Sequence, residues 1–337
     1  MMMIRRIFAG SCLILATASH AAPSNDLVYT LKASIAKIRS VNAHGGKSTG
    51  TGVVVAENKV ATNCHVLADS VGMDIGAMGE NYQPVGVQTD WKHDICILNF
   101  QFLPLKAAPL GDSEHLQYEQ EIFSIGFPGG PPKPLTTFGS IKALYPMDDS
   151  VVIRTSASFQ MGASGSPLFN AQGEVIGLST FKSPGHNAFF YNVPVQWVKE
   201  AMQLPVVELI SNAQSAFWEV DLAQKPYWMQ VVLPAQNNQW GEVESIVKRW
   251  IVSAPYDTEA QFYDALSKDH LGHREEAKKI YQRILKQTPL HSGSLINLAA
   301  IAKSEGQVAE LGRYQDQLAK LNIDLSEIDT LSVNNGQ

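Results

Sequence analysis

Residues 162–167 read GASGSP, and Ser164 at their centre is the side chain best placed to act as a nucleophile. A serine hydroxyl attacks poorly by itself. It needs an imidazole to take its proton and donors aimed at the oxygen that becomes negative. Gly162 lets the backbone turn without a Cβ clash, so the N–H groups of Gly162 and Ser164 can point to one place, an oxyanion hole. Gly165 leaves room for close approach. Alone, the six residues also suit a tight structural turn. Two further segments shift the balance: ATNCHV carries His65 and HDICIL carries Asp94. A base, an orienting carboxylate and a nucleophile, the three groups that acyl transfer uses, thus occur in the order His65, Asp94, Ser164, each at the margin of a β-type segment.

The elements that must position them are strands. From about residue 31 to 190 the chain consists of short Val-, Ile-, Leu- and Phe-rich runs broken by Gly, Pro, Asn and Asp, an all-β pattern. Residues 170–173, NAQG, read as a hairpin turn, and residues 128–134, PGGPPKP, as a connecting loop that no central strand could tolerate. Strand alternation sends His93 to the face opposite Asp94, where it reads as a structural or surface histidine. His115, His270, His273 and His291 read as surface residues.

After Pro194 the pattern becomes helical. VQWVKEAMQLP suits one short helix, and beyond about residue 212 apolar residues recur every three to four positions. Gly272 and Gly306 recur at the interval typical of helical-hairpin repeats, each between two helical patterns. A weaker, earlier hairpin centres on Gly241. The division expected is a signal peptide at 1–22, a β domain at 23–205, a linker at 206–215, a helical domain at 216–325 and a flexible tail at 326–337.

Taken together, TGVVV, ATNCHV, HDICIL and GASGSP resemble the chymotrypsin-like (trypsin-like) serine peptidases, and among them the bacterial Deg/Htr type. The resemblance implies two perpendicular six-stranded β-barrels with the active site between them. His65 and Asp94 would come from the first barrel and Ser164 from the second. It also implies that Ser158 floors the first specificity pocket and that Thr180 and Phe181 begin the strand that pairs with substrate backbone. Ser158 carries no charge, so an uncharged residue before the cut is expected. Residues 258–321 resemble two tetratricopeptide-type helical hairpins, which implies a binding surface for a protein substrate or partner.

Composition narrows the classes further. With 26 basic and 32 acidic residues the chain has no basic stripe, which argues against a nucleic-acid partner. Residues 1–22 pair Arg5 and Arg6 with an apolar stretch too short to span a bilayer, so export to the periplasm or beyond is expected, without a stable membrane anchor. Cys64 and Cys96 remain after processing; a disulfide and two buried free thiols both stay open. The chain offers no close cluster of metal ligands, and neither a catalytic metal nor another cofactor is expected. The reading is a serine endopeptidase with a helical protein-binding appendage; the alternative is an inactive protease-like scaffold.

Overall fold

The computed structural model describes residues 23–77, 79–185, 187–209 and 214–323. The expected signal peptide and the expected tail lie outside them. The first element among the described residues is helix α1 (Asn25–Leu31), whose N-terminus is capped by the Ser24 hydroxyl. Seven strands follow: β1 (Ile35–Asn42), β2 (Lys47–Ala56), β3 (Lys59–Thr62), β4 (Ser70–Ala77), β5 (Glu80–Tyr82), β6 (Gly86–Asp90) and β7 (Ile95–Asn99). They form one sheet in the order β5-β4-β1-β2-β3-β7-β6. Ile38, Val54, Val60, Ile75, Leu98 and Cys96 fill its interior.

The second unit uses β8 (Glu121–Gly126), β9 (Leu135–Met147), β10 (Ser150–Thr155), β11 (Pro167–Phe169), β12 (Val175–Lys182) and β13 (Phe190–Pro194). These close into a barrel in the order β10-β13-β12-β11-β8-β9. The first unit departs from the expected six-stranded barrel. It has a seventh, very short strand, β5, and its ladder stays open between the β4–β5 side and β6. The free edge of β6 is met instead by residue 207, since Val87 and Val207 exchange backbone hydrogen bonds of 2.8 and 2.9 Å. An uncovered edge would template pairing with another chain. The NAQG hairpin forms as read, with Gly173 in the left-handed region and the leucines of α1 packed over it.

Helix α2 (Val195–Ala201) closes the β region. Beyond it come α3 (Tyr227–Gln230), α4 (Val232–Gln236), α5 (Trp240–Ser253), α6 (Thr258–His270), α7 (Arg274–Gln287), α8 (Ser292–Ser304) and α9 (Val308–Lys320). The pair α6–α7 recurs as α8–α9, with Gly272 and Gly306 at positive φ in the two equivalent turns. The earlier hairpin is centred differently from the expectation. Gly241 lies inside the first turn of α5, and Asn238, at φ 56°, takes the left-handed position one repeat before Gly272. Asparagine tolerates that conformation, so it left no glycine to mark the turn.

The helices are not tethered at a distance. Trp228 of α3 is 3% exposed and stacks on Tyr145 of the barrel at 4.6 Å, and Phe217, Val243, Trp250 and Tyr263 share one continuous core with Phe123, Phe169 and Tyr191. Removing an aromatic ring this deeply buried costs about 3–5 kcal/mol. A polar joint lies beside this core. Glu259, fully buried, accepts from Tyr118 Oη at 3.0 Å and pairs with His291 Nε2 at 3.2 Å, while Ser292 Oγ donates to Glu119. His291 is therefore no surface residue: it is 2% exposed and ties α8 to α6 and the barrel. His270 is half-buried, stacked on Trp240 at 3.8 Å, and burial pushes its pKa down.

Candidate active site

His65 sits in a single 3-10 turn, Cys64–Val66, directly after β3. Asp94 ends the turn that leads into β7. Because β3 and β7 pair with Thr62 opposite Cys96, the two segments emerge side by side. Cys64 and Cys96 are joined by a disulfide with a Cα–Cα distance of 4.9 Å, one of the two alternatives the sequence left open. Asp94 has φ 60°, a region rarely used by a residue with a side chain. Its surroundings over-determine it: its N–H donates to Trp91 O, and its carbonyl accepts from Cys64 N–H and from Asn63 Nδ2.

The carboxylate of Asp94 is 1% exposed. Its Oδ1 accepts the His65 backbone N–H at 2.8 Å, and its Oδ2 lies 2.6 Å from His65 Nδ1. An ionised carboxylate only accepts, so Nδ1 carries the proton and Nε2 is left as a base. The imidazole is 26% exposed, open enough to meet a substrate.

Ser164 stands on the loop between β10 and β11 of the second barrel, so the three residues come from the two β units in the expected division. Gly162 and Gly165 both have positive φ, 93° and 81°. A Cβ on Gly165 would collide with Thr51 O and with Thr62, at the end of the strand that leads to His65. Only glycine allows that approach. Thr51, fully buried, organises the loop: its N–H donates to Ser164 O at 2.9 Å and its Oγ1 donates to Gly162 O at 2.8 Å. The PGG loop supports the other side, with Gly129 N–H donating to Met161 O at 2.6 Å. Among the described residues, neither Gly162 N–H nor Ser164 N–H donates to a protein acceptor.

The positions expected at the specificity pocket divide. Ser158 is exposed on the same loop as Ser164. Thr180 is buried, with Oγ1 donating to Leu178 O and accepting from Asn63 Nδ2, and Phe181 is buried beneath an aromatic stack. Both of those side chains are already occupied by protein contacts. His93 is a hydrogen-bonded structural histidine, but it lies with Asp94 in the turn before β7, so strand alternation does not place it: it bonds Asp90 and Asp148 and stacks on Trp197 at 3.9 Å. Burial opposes its charge, but the two carboxylates outweigh burial and raise its pKa. Three potential metal ligands do gather elsewhere, at Asp112, Glu114 and His115, all exposed, where the sequence pattern showed no cluster.

Asn63, Thr51 and Trp218 were missed in the sequence. The first two lie inside the segments ATNCHV and TGVVV, but nothing local marks Trp218, which reaches the site from the connection to the helices. Its indole Nε1 donates to Asp94 Oδ2 at 3.3 Å, and its ring meets His65 edge-on at 5.5 Å.

Residues 50–178 match the trypsin-like peptidase domain. The β region matches the fold of the active form of the Rv3671c protease from M. tuberculosis, with a TM-score of 0.51 at 21% identity over 63% of this chain and all of that one. In sequence and in fold this part of the chain is thus similar to trypsin-like peptidase domains. In sequence this part of the chain resembles the Deg/Htr type. It is 32% identical over 158 residues to a probable periplasmic DegP-like serine endoprotease of Halomonas elongata, covering 44% of this chain and 33% of that protein. It is 33% identical over 145 residues to the mitochondrial serine protease HTRA2 of Bos taurus, covering 40% and 32%. The chain spans about a third of the length of these curated relatives.

Proposed function

We propose that the chain is an exported serine endopeptidase that works through His65, Asp94 and Ser164. The observation that carries this reading is the His65–Asp94 pair, with Nδ1 held at 2.6 Å and the Ser164 loop clamped against the strand that leads to His65. Ser164 Oγ attacks the carbonyl carbon of the scissile peptide while its proton passes to His65 Nε2. The carbonyl oxygen gathers negative charge and takes hydrogen bonds from the N–H groups of Gly162 and Ser164. His65 then gives its proton to the departing amine, leaving an acyl ester on Ser164. Water, deprotonated by the same nitrogen, cleaves that ester. Asp94 stays ionised throughout and stabilises the imidazolium.

Ser158 and the loop around it would receive an uncharged side chain before the cut. The two successive helical hairpins are tetratricopeptide-like in this reading and would hold a protein substrate or partner. Export follows from the leader-like segment 1–22 and from the periplasmic relatives; among the described residues no helix is long and apolar enough to cross a membrane. The test is to label the purified protein with a fluorophosphonate probe and map the adduct by mass spectrometry. An adduct on Ser164, with cleavage of a proteome-derived peptide library, supports the reading. A folded protein that takes up no probe and cuts nothing refutes it in favour of a scaffold.

A further inference from the structure

Residues 214–219, in the connection between the β units and the helices, lie beside His65 and Asp94. Residues 214–216 and Glu219 line one wall of a small cavity whose other wall is His65, Ala68, Trp91 and Asp94. Phe217 N–H donates to Lys92 O at 3.0 Å and ties the segment to the turn before β7, while within the segment Ala216 N–H donates to Glu219 Oε2 at 3.1 Å. Ala216 and Phe217 are buried, 2% and 7% exposed. Between them and the cleft, Trp218 lies flat on Phe181, with centroids 5.3 Å apart and planes 13° apart. Phe181 in turn stacks on Tyr191 of the barrel wall at 4.8 Å. The indole is therefore held from behind by stacked rings, while its N–H and one edge face the catalytic pair.

The geometry points to Trp218 as a positioning residue for the His65–Asp94 pair, so that the segment leading into the helical domain completes the active site; this rests on the peptidase reading above. Without Trp218, Oδ2 of Asp94 has His65 Nδ1 as its one described partner, and Oδ1 has the His65 backbone N–H. The backbone of Asp94 is held by Trp91, Cys64 and Asn63, but both of those donors to its carboxylate belong to the residue that Asp94 must orient. Trp218 Nε1, also donating to Oδ2, comes from a different part of the chain and fixes the carboxylate against an outside reference. A hydrogen bond to a charged group in a buried site is among the stronger ones, and small misplacement of a catalytic base is costly. The indole acts through Asp94 and not on the substrate's reacting bond.

The experiment compares full-length mature protein with Trp218→Phe, which keeps the stack on Phe181 and deletes the N–H. The expected result is a kcat about tenfold lower on a short peptide, KM within about twofold, and fluorophosphonate labelling slowed by a similar factor. Trp218→His, which restores a ring N–H, should recover part of that loss. In an Asp94→Asn background the Trp218→Phe change should alter the labelling rate by less than about twofold, because both substitutions act on one unit. Circular dichroism and melting confirm folding, and the histidine variant carries the comparison if the phenylalanine variant does not fold. Wild-type kcat and labelling in folded Trp218→Phe would overturn the proposal. So would a raised KM with unchanged kcat, or an equal loss in both backgrounds, which would mean a wall or a scaffold residue. If wild type itself takes no label, the peptidase reading fails first, which separates the two failures.

Discussion

Replacing both members of the Cys64–Cys96 bridge by alanine tests how the catalytic pair is held. The bridge closes a loop with a sequence separation of 32. On the chain-entropy account, removing such a constraint frees the unfolded chain by about 4 kcal/mol. Both cysteines are fully buried, so the alanines add cavity costs of about 1 kcal/mol each. A total of about 5–6 kcal/mol is a large share of a domain's stability. Urea denaturation followed by tryptophan fluorescence should show a midpoint well below wild type. Activity of the folded fraction should fall far less than stability, because the other restraints on Asp94 survive the change. Its carbonyl still accepts from Asn63 Nδ2, its N–H still donates to Trp91 O, and its carboxylate keeps both bonds to His65. An unchanged midpoint would refute the reasoning. So would two alkylatable cysteines in the oxidised, denatured, unreduced protein.

His93→Gln removes the joint between Asp90 on β6 and Asp148 in the β9–β10 turn, and should cost about 2 kcal/mol at pH 6. Because the folded pKa of His93 is raised, its charge-dependent contribution is complete below the ordinary value of 6.5 and is lost as pH rises through the raised value. The wild-type advantage in denaturation midpoint should therefore shrink above neutral pH; a constant gap would count against it. Glu259→Ala takes from His291 Nε2 and Tyr118 Oη their shared partner in a buried joint, at a cost of about 3–5 kcal/mol, and should raise hydrogen exchange in α6 and α8 before the barrel. The Glu259 pKa is lowered: burial opposes this, but His291, Arg154 and Tyr118 prevail, so this contribution is present above 4.5 and fades as pH falls through the depressed value. Asp94→Asn should lower kcat by about 10⁴ by leaving the imidazole in the wrong tautomer, measured on a short peptide.

Much of this site was legible in the sequence because the chemistry that needs a serine nucleophile also needs local signals. Gly162 and Gly165 are required by positive φ and by the approach of Phe127 O to the first and of Thr51 and Thr62 to the second, so they mark Ser164 in the chain itself. His65 and Asp94 were found at the margins of strands for the same reason: each follows or precedes a buried run that fixes it. The recurrence of Gly272 and Gly306 foretold the helical hairpins. What escaped was long-range. Asn238 replaced a glycine at the earlier turn, His291 became buried only because α8 docks on the barrel, and Trp218 reaches Asp94 from 124 positions away. Periodicity reports which face of an element is buried but not what another segment brings to it. The open edge of the first sheet, and its covering by Val207, were hidden for the same reason.

In the proposed reaction everything depends on Ser164 supplying the attacking oxygen. Ser164→Ala deletes that one atom from a half-buried position and leaves Gly162, Gly165 and the Thr51 hydrogen bonds to the loop backbone in place, so the fold should persist. The measurement is steady-state hydrolysis of a peptide that the wild type cleaves, compared with the folded alanine variant under identical conditions. Nearly all turnover should be lost, with wild-type circular dichroism and melting temperature. A folded Ser164→Ala protein that cleaves the peptide at the wild-type rate would contradict the assignment.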